Sequence, residues 1–181
     1  KMTAFLLPFI VSAIFVVPAQ AVTDEIQVYT DEINAPGEKG LELHINATPK
    51  GRRIASYPGE LVPNGGMRIT PEFSYGLTET LEAGLYLPFA TNANLAPYFG
   101  GPKFRLKWLP IHGGEGFYAG LNAELSSVTR KFEESHLNME LRTILGYRSN
   151  GWLIGLNPIL AWGLSPGYRG SPDLTKAWKI G

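Results

Sequence analysis

The sequence lacks cysteine, an excess of either charge, and an apolar run long enough to cross a membrane as a helix. Without cysteine there is no disulfide scaffold, thiolate zinc site or cysteine nucleophile. The 16 basic and 16 acidic residues balance, which argues against a nucleic-acid partner bound through its phosphates. The longest apolar run, residues 4–17, contains Pro8 and is about 14 residues long, whereas a helical span needs about 20.

The N-terminus has the features of a secretory signal peptide. Lys1 precedes the apolar run, and the tripeptide Ala-Gln-Ala at 19–21 supplies a small-x-small cleavage site. Residues 1–21 are therefore predicted to be removed on export. Residues 22–37 are predicted to be a periplasmic N-terminal lead-in with several acidic residues. This lead-in either folds back on the mouth of the following domain or stays a solvated terminus, and the sequence favours the solvated terminus.

From residue 38 onward, apolar and polar residues alternate in segment after segment. Successive side chains of a strand point to opposite faces. In Gly40–Ala47 one face therefore carries only apolar residues: Leu41, Leu43, Ile45 and Ala47. Seven more segments repeat the pattern, with no helix predicted between them: about 66–75, 80–89, 102–109, 116–126, 137–147, 151–162 and from about 175 onward. In the second of these eight strands, Pro71 predicts a local bulge or kink.

These segments predict an all-β fold, an antiparallel up-and-down transmembrane β-barrel formed by residues 38–181. Long and short connections alternate, as external loops and periplasmic turns do in outer-membrane barrels. Aromatic residues lie near both ends of the strands, as two membrane-interface girdles require. They are Tyr75, Trp108, Phe117, Tyr147 and Trp152 beside the short turns, and Phe89, Phe99, Phe132 and Trp162 near the long loops. At least eight strands are present, and the barrel is expected to be truncated at its C-terminus, because the chain stops inside an alternating run.

A secreted, water-soluble barrel or sandwich is the alternative fold, with the apolar face as its core. Alternation alone fits both folds. The rhythm of the loops, the placement of the aromatic residues and the charge on the polar face favour the membrane barrel.

The polar face carries five acidic and five basic residues, which are predicted to line the lumen: Glu42, Arg68, Glu72, Glu82, Lys103, Arg105, Lys107, Glu124, Glu140 and Arg142. Buried charges must be paired or hydrated. In a narrow barrel these residues would form a salt-bridged plug with a structural role. In a wider barrel they would line a water-filled passage, where the stripe Lys103-Arg105-Lys107 would favour anions.

Features of catalysis and of metal or cofactor binding are weak. The three histidines are isolated, with no pair at helical metal-ligand spacing, so no metal, cofactor or catalytic residue is predicted. A membrane-embedded lipid hydrolase is a distant alternative, because Ser126 and His136 bracket one hairpin. Ser126 faces inward by the alternation, and no orienting acid is evident.

One hairpin carries a resemblance to a family. The stretch from Thr70 to Pro88, with Tyr-Gly-Leu-Thr at 75–78 followed by an alternating strand, resembles a recurrent hairpin of poorly characterised Gram-negative outer-membrane proteins. The chain is similar to the group named after the meta-pathway of phenol degradation, whose members are often labelled transporters. The resemblance extends more loosely through residues 102–107 and 156–160. It implies passage of hydrophobic or aromatic small molecules and further strands beyond this chain.

The sequence thus predicts an exported protein of the outer membrane that is not an enzyme. Its expected partners are outer-membrane lipid, the barrel-insertion machinery and small-molecule solutes. The expected function is passive passage or binding of small molecules, and a structural envelope barrel with a plugged lumen is the alternative.

Overall fold

A computed structural model of the chain describes residues 27–166 and 179–180. The predicted signal peptide and most of the eighth predicted strand therefore lie outside the described residues. All regular structure in the described part is β, as predicted. Within those residues, no helix has the length and hydrophobicity to cross a membrane.

The described residues form eleven strands in one antiparallel sheet. Their bounds are β1 Lys39–Thr48, β2 Gly66–Thr78, β3 Leu81–Tyr86, β4 Phe89–Thr91, β5 Pro97–Phe99, β6 Lys103–Ile111, β7 Gly116–Ser127, β8 Leu137–Ser149, β9 Trp152–Leu156, β10 Ile159–Gly163 and β11 Lys179–Ile180.

Six of these elements are halves of three interrupted strands. β3 and β4 both pair with β2, β9 and β10 both pair with β8, and β5 and β6 pair with β4 and β3. Each interruption contains a proline, namely Pro88, Pro102 and Pro158, which cannot donate to a ladder. Counted this way, eight consecutive strands form an antiparallel sheet that curls into a half-barrel. The predicted strand count and order are confirmed, and a closed barrel in lipid remains a prediction.

The bulge that was one of the two alternatives predicted at Pro71 is not formed. β1 and β2 pair without a shift from Lys39↔Tyr75 to Thr48↔Gly66, and the irregularity in β2 lies between Gly76 and Thr78. The carbonyl of Pro71 accepts from Leu87 N at 3.0 Å, so the missing N–H of Pro71 also faces that neighbour. There the ladder is interrupted between β3 and β4.

Two further details differ from the sequence-based expectation. Residues 90–101, which connect the third and fourth predicted strands in a long loop by the sequence pattern, largely form a short hairpin of β4 and β5 with 92–96 as its connection. Phe132 is only 8% exposed and packs with Leu61, Ala90 and Val128, so it belongs to a core beneath the loops and not to an aromatic girdle. Burial of the large Phe132 ring against other apolar side chains is favourable, and it places the ring in this core although the residue lies in a loop.

The two faces of the sheet have opposite character. Apolar side chains on the outer, convex face are exposed, for example Leu41 at 67%, Phe104 at 55% and Ile154 at 66%. Most side chains on the inner face are polar and buried, for example Glu72 at 2% and Asn122 at 0%, and an apolar cluster of Leu109, Tyr118 and Ile144 packs with Tyr29 on the same face. Water-soluble β proteins bury the apolar face instead. The curl therefore encloses the charges and leaves the apolar surface outside.

Candidate functional site

All ten charged residues predicted to line a lumen lie on the inner face. Direct cross-strand partners share a face, and one register row runs Glu82↔Lys107↔Asn122↔Arg142. The neighbouring rows carry the other charged residues of the set at alternate positions: Glu42, Arg68, Glu72, Lys103, Arg105, Glu124 and Glu140.

Arg105 is the centre of the buried ionic network. Its Nη1 lies 2.5 Å from Glu72 Oε1, and its Nη2 contacts Glu82 Oε1. Lys107 Nζ lies 3.0 Å from the same Glu82 oxygen, and Tyr86 OH accepts from Arg105 at 3.2 Å. All four partners are nearly excluded from solvent. Burial strengthens these attractions, and removal of any charged partner would leave a buried charge uncompensated.

The basic stripe is matched by carboxylates along its whole length. Lys103 Nζ lies 3.5 Å from Glu124 Oε2, next to the Arg105 and Lys107 contacts with glutamates. Farther along the sheet, Arg142 Nη2 lies 2.7 Å from Glu140 Oε1. The stripe is thus neutralised, which weakens the expected preference for anions.

Arg68 contacts an aromatic ring of the core beneath the loops. Its guanidinium lies 5.2 Å from the centre of the Phe132 ring, a cation–π distance, near the loop core. Glu42 lies on the edge strand β1, where its side chain is 63% exposed and its carboxylate is 3.9 Å from His44 Nε2.

The lead-in lies against the inner face from residue 27 onward. Tyr29 is 6% exposed, and its hydroxyl meets Tyr86 OH at 2.7 Å and Glu124 Oε1 at 3.2 Å. Asn157 holds the Tyr29 backbone from both sides, accepting from its N–H at 2.7 Å and donating to its carbonyl at 3.1 Å. The side chain of Asn157 thereby replaces a strand partner.

A bidentate ion pair fixes the middle of the lead-in. Arg148 Nε and Nη2 lie 2.8 and 2.5 Å from the two carboxylate oxygens of Asp31, which is 8% exposed. The hydrogen bonds from Arg148 hold the pKa of Asp31 below its usual value, against the opposing effect of burial. The sequence left two alternatives for this acidic segment, a solvated terminus or a segment that folds back. From residue 27 onward the structure shows a segment bound to the sheet.

Backbone groups of the lead-in also take part. Lys107 Nζ donates to Glu32 O at 3.0 Å, and Arg142 Nη1 donates to Gln27 O at 2.5 Å. Asn34 N donates to Glu82 Oε2 at 2.8 Å, so the lead-in completes the coordination of a network carboxylate. The segment is therefore bound through its backbone as well as through the side chains of Tyr29 and Asp31.

A cavity of about 180 Å³ remains between the lead-in and the inner face. The side chains of Glu42, Ser74, Glu82, Arg105 and Lys107 line one wall. This wall carries carboxylates and cations, so the cavity suits water or a small polar solute and not an apolar one.

The serine and histidine considered for lipid hydrolysis do not meet. Ser126 is 5% exposed on the inner face, as the alternation predicts. His136 instead lies beside Ser127, with Nε2 3.4 Å from Ser127 Oγ and Nδ1 3.1 Å from Val128 O.

Several residues of this site were not predicted from the sequence. Tyr86 follows Glu82 and Gly84 on the polar face, so the alternation would have found it had uncharged residues been included. Asn157 is a polar residue before a proline in an apolar strand, and this is a weaker indication from the sequence that it belongs to the site. Tyr29 and Asp31 have no local indication, because their partners lie far away in the chain.

Comparisons of the chain with protein-family models, curated proteins and solved structures find no match. The resemblance to outer-membrane proteins of the phenol meta-pathway group therefore stays a prediction.

The Asp31–Arg148 pair generates a prediction about the lead-in. Asp31→Asn removes the charge, so amide exchange in residues 27–36 should be roughly two- to fivefold faster, the range expected for a partly exposed ion pair. Because the pKa of Asp31 is lowered in the bound state, the contribution of the pair is complete at neutral pH and disappears as pH falls through that lowered pKa. Hydrogen-exchange mass spectrometry measures both effects.

Glu32→Gln is the matched control, because Glu32 is exposed, bonds Lys107 through its backbone carbonyl, and acts on Arg148 only through a charge effect smaller than that of Asp31. It should leave exchange unchanged. Equal exchange in wild type and Asp31→Asn at neutral pH would show that the ion pair does not hold the lead-in.

Proposed function

We propose that this chain forms an outer-membrane β-barrel that binds small molecules or lets them pass, with residues 27–38 occupying part of its lumen. The distribution of side chains on the curled sheet carries the proposal. Charged residues such as Glu82 and Arg105 are buried inside the curl, while Leu43, Leu106 and Trp108 are about half exposed or more outside it. Lipid is the solvent that favours such an arrangement.

The aromatic residues support the same orientation. Five rings beside the short turns are 43–57% exposed on the outer face: Tyr75, Trp108, Phe117, Tyr147 and Trp152. Aromatic rings concentrate at the interface between acyl chains and headgroups. A signal peptide at residues 1–21 would deliver the chain to the periplasm, where the barrel-insertion machinery is the partner that this proposal requires.

A lysine on the outer face tests the membrane assignment. Leu106 lies within β6 and is 47% exposed, so Leu106→Lys would be nearly neutral in water. In a bilayer it should lower the free energy of unfolding by about 2–4 kcal/mol if the residue lies near the midplane. Urea titration of the chain folded into lipid vesicles measures this difference.

Ile54→Lys is the control, because Ile54 is 80% exposed in the connection between β1 and β2. It should change stability by no more than about 0.5 kcal/mol. Equal effects of the two substitutions, together with folding of the mature chain as a monomer without detergent, would support the water-soluble alternative.

The second candidate function is a structural barrel with a plugged lumen. The observation that favours it is the combination of paired charges and the bound lead-in, which fill much of the inner face. The two candidates differ in whether solute can move past residues 27–38.

Electrical recording separates the two functions. The full-length protein in a planar bilayer should show a small conductance, and Asp31→Asn combined with Asn157→Ala should increase it, because both substitutions release the lead-in. Glu32→Gln should behave like wild type. The absence of conductance for both the folded wild type and the double variant would favour the structural barrel.

A further inference from the structure

We propose that Glu42, His44 and Glu72 form a binding site for a divalent transition-metal cation on the inner face. Glu42 and His44 are two residues apart on β1, so they share a face, and Glu72 on β2 is the direct cross-strand partner of Glu42. One ligand atom from each of the three residues lies within 4.8 Å of the others. The inference does not depend on whether the sheet lies in lipid or on what passes through it.

The distances suit a tetrahedral ion. His44 Nε2 lies 3.1 Å from Glu72 Oε2 and 3.9 Å from Glu42 Oε2. Zinc holds nitrogen and carboxylate oxygen at about 2.0–2.2 Å, which places neighbouring ligand atoms of a tetrahedron roughly 3.3–3.6 Å apart. The His44–Glu72 pair would have to open by a few tenths of an ångström, and Glu42 would have to approach His44, which its exposed side chain allows.

The charge at this place favours a cation. Close contacts that run through His44 connect three carboxylates, those of Glu42, Glu72 and Glu82, with two bases, Arg105 and Lys107. Counted without His44, these five side chains carry one excess negative charge. Two carboxylates directly opposite each other in a sheet also repel.

The second carboxylate oxygen of Glu72 supplies the support that metal ligands commonly have. Its Oε1 is held by Arg105 Nη1, which leaves Oε2 directed toward His44. Hydrogen bonds of this kind orient a ligand and strengthen binding. An imidazole beside two carboxylates favours zinc and similar transition metals, whereas calcium and magnesium prefer oxygen ligands alone.

Zinc titration of the folded full chain, without an affinity tag and after treatment with a chelator, tests the site. Calorimetry should give one zinc per chain and no comparable binding of calcium. His44→Ala should weaken zinc affinity by at least about tenfold, since even outer-shell partners of metal ligands are worth that much. Glu42→Gln should do the same, and it leaves the buried Arg105 contacts intact.

His112→Ala and His136→Ala are the matched controls, because they remove the other two histidines of the chain. Both should bind zinc as wild type does. Circular dichroism of each variant confirms that the sheet is formed. Cobalt(II) in place of zinc should give the visible absorption bands of a four-coordinate ion, and these bands should be absent in His44→Ala.

Two results would overturn the proposal. One is the absence of stoichiometric zinc binding in the folded chain. The other is the same affinity in wild type, His44→Ala and Glu42→Gln, which would show that zinc binds elsewhere. In both cases the contact between His44 and Glu72 is a hydrogen bond between an imidazole and a carboxylate only.

Discussion

The buried guanidinium of Arg105, held between Glu72 and Glu82, is the contact on which the rest of the structure depends. A charge excluded from water must be paired, and breaking such a pair costs about 3–5 kcal/mol. This contact joins β6 to β2 and β3, and Glu82 extends it to the lead-in through Asn34. A slip of one residue in any of these strands would move a charge to the apolar outer face. The ionic network therefore fixes the register of the sheet as well as filling its interior.

The sequence predicted those features of the fold that depend on the alternation of apolar and polar residues. Eight antiparallel strands follow from local alternation, and the structure confirms them. The ten charged residues share the inner face of the curled sheet, and their lining of a lumen stays a prediction. The binding of the lead-in could not be predicted, because Tyr29 meets Tyr86 and Asn157 at separations of 57 and 128 residues. The error at Pro71 has a similar cause. Whether a proline disturbs a ladder depends on its neighbour, and the neighbouring strand is interrupted there.

The lead-in changes how the polar face should be understood. Considered alone, a row of lysine and arginine suggests an attractive surface for anions. In the folded chain each member of the row faces a glutamate, and two cations of the inner face, Lys107 and Arg142, also donate to carbonyls of the lead-in. Attraction for a passing solute must therefore compete with contacts already made. Passage in the proposed barrel would depend on how readily residues 27–38 give up those contacts, more than on the net charge of the wall.

The least favourable charge contact of the ionic network lies at the edge strand β1, where Glu42 is directly opposite Glu72. Within the described residues β1 pairs only with β2, and Glu42 on it is 63% exposed, so water screens its repulsion from Glu72. A sheet that crosses a membrane has no free edge, so the proposed barrel requires a further strand, from this chain or another copy, beside β1. That strand would bury Glu42 and remove the screening. The cost of placing two carboxylates opposite each other would then increase, because attraction and repulsion both grow as water is excluded. A cation held by Glu42, His44 and Glu72 would offset this cost, so closure of the sheet and occupation of the metal site would favour each other.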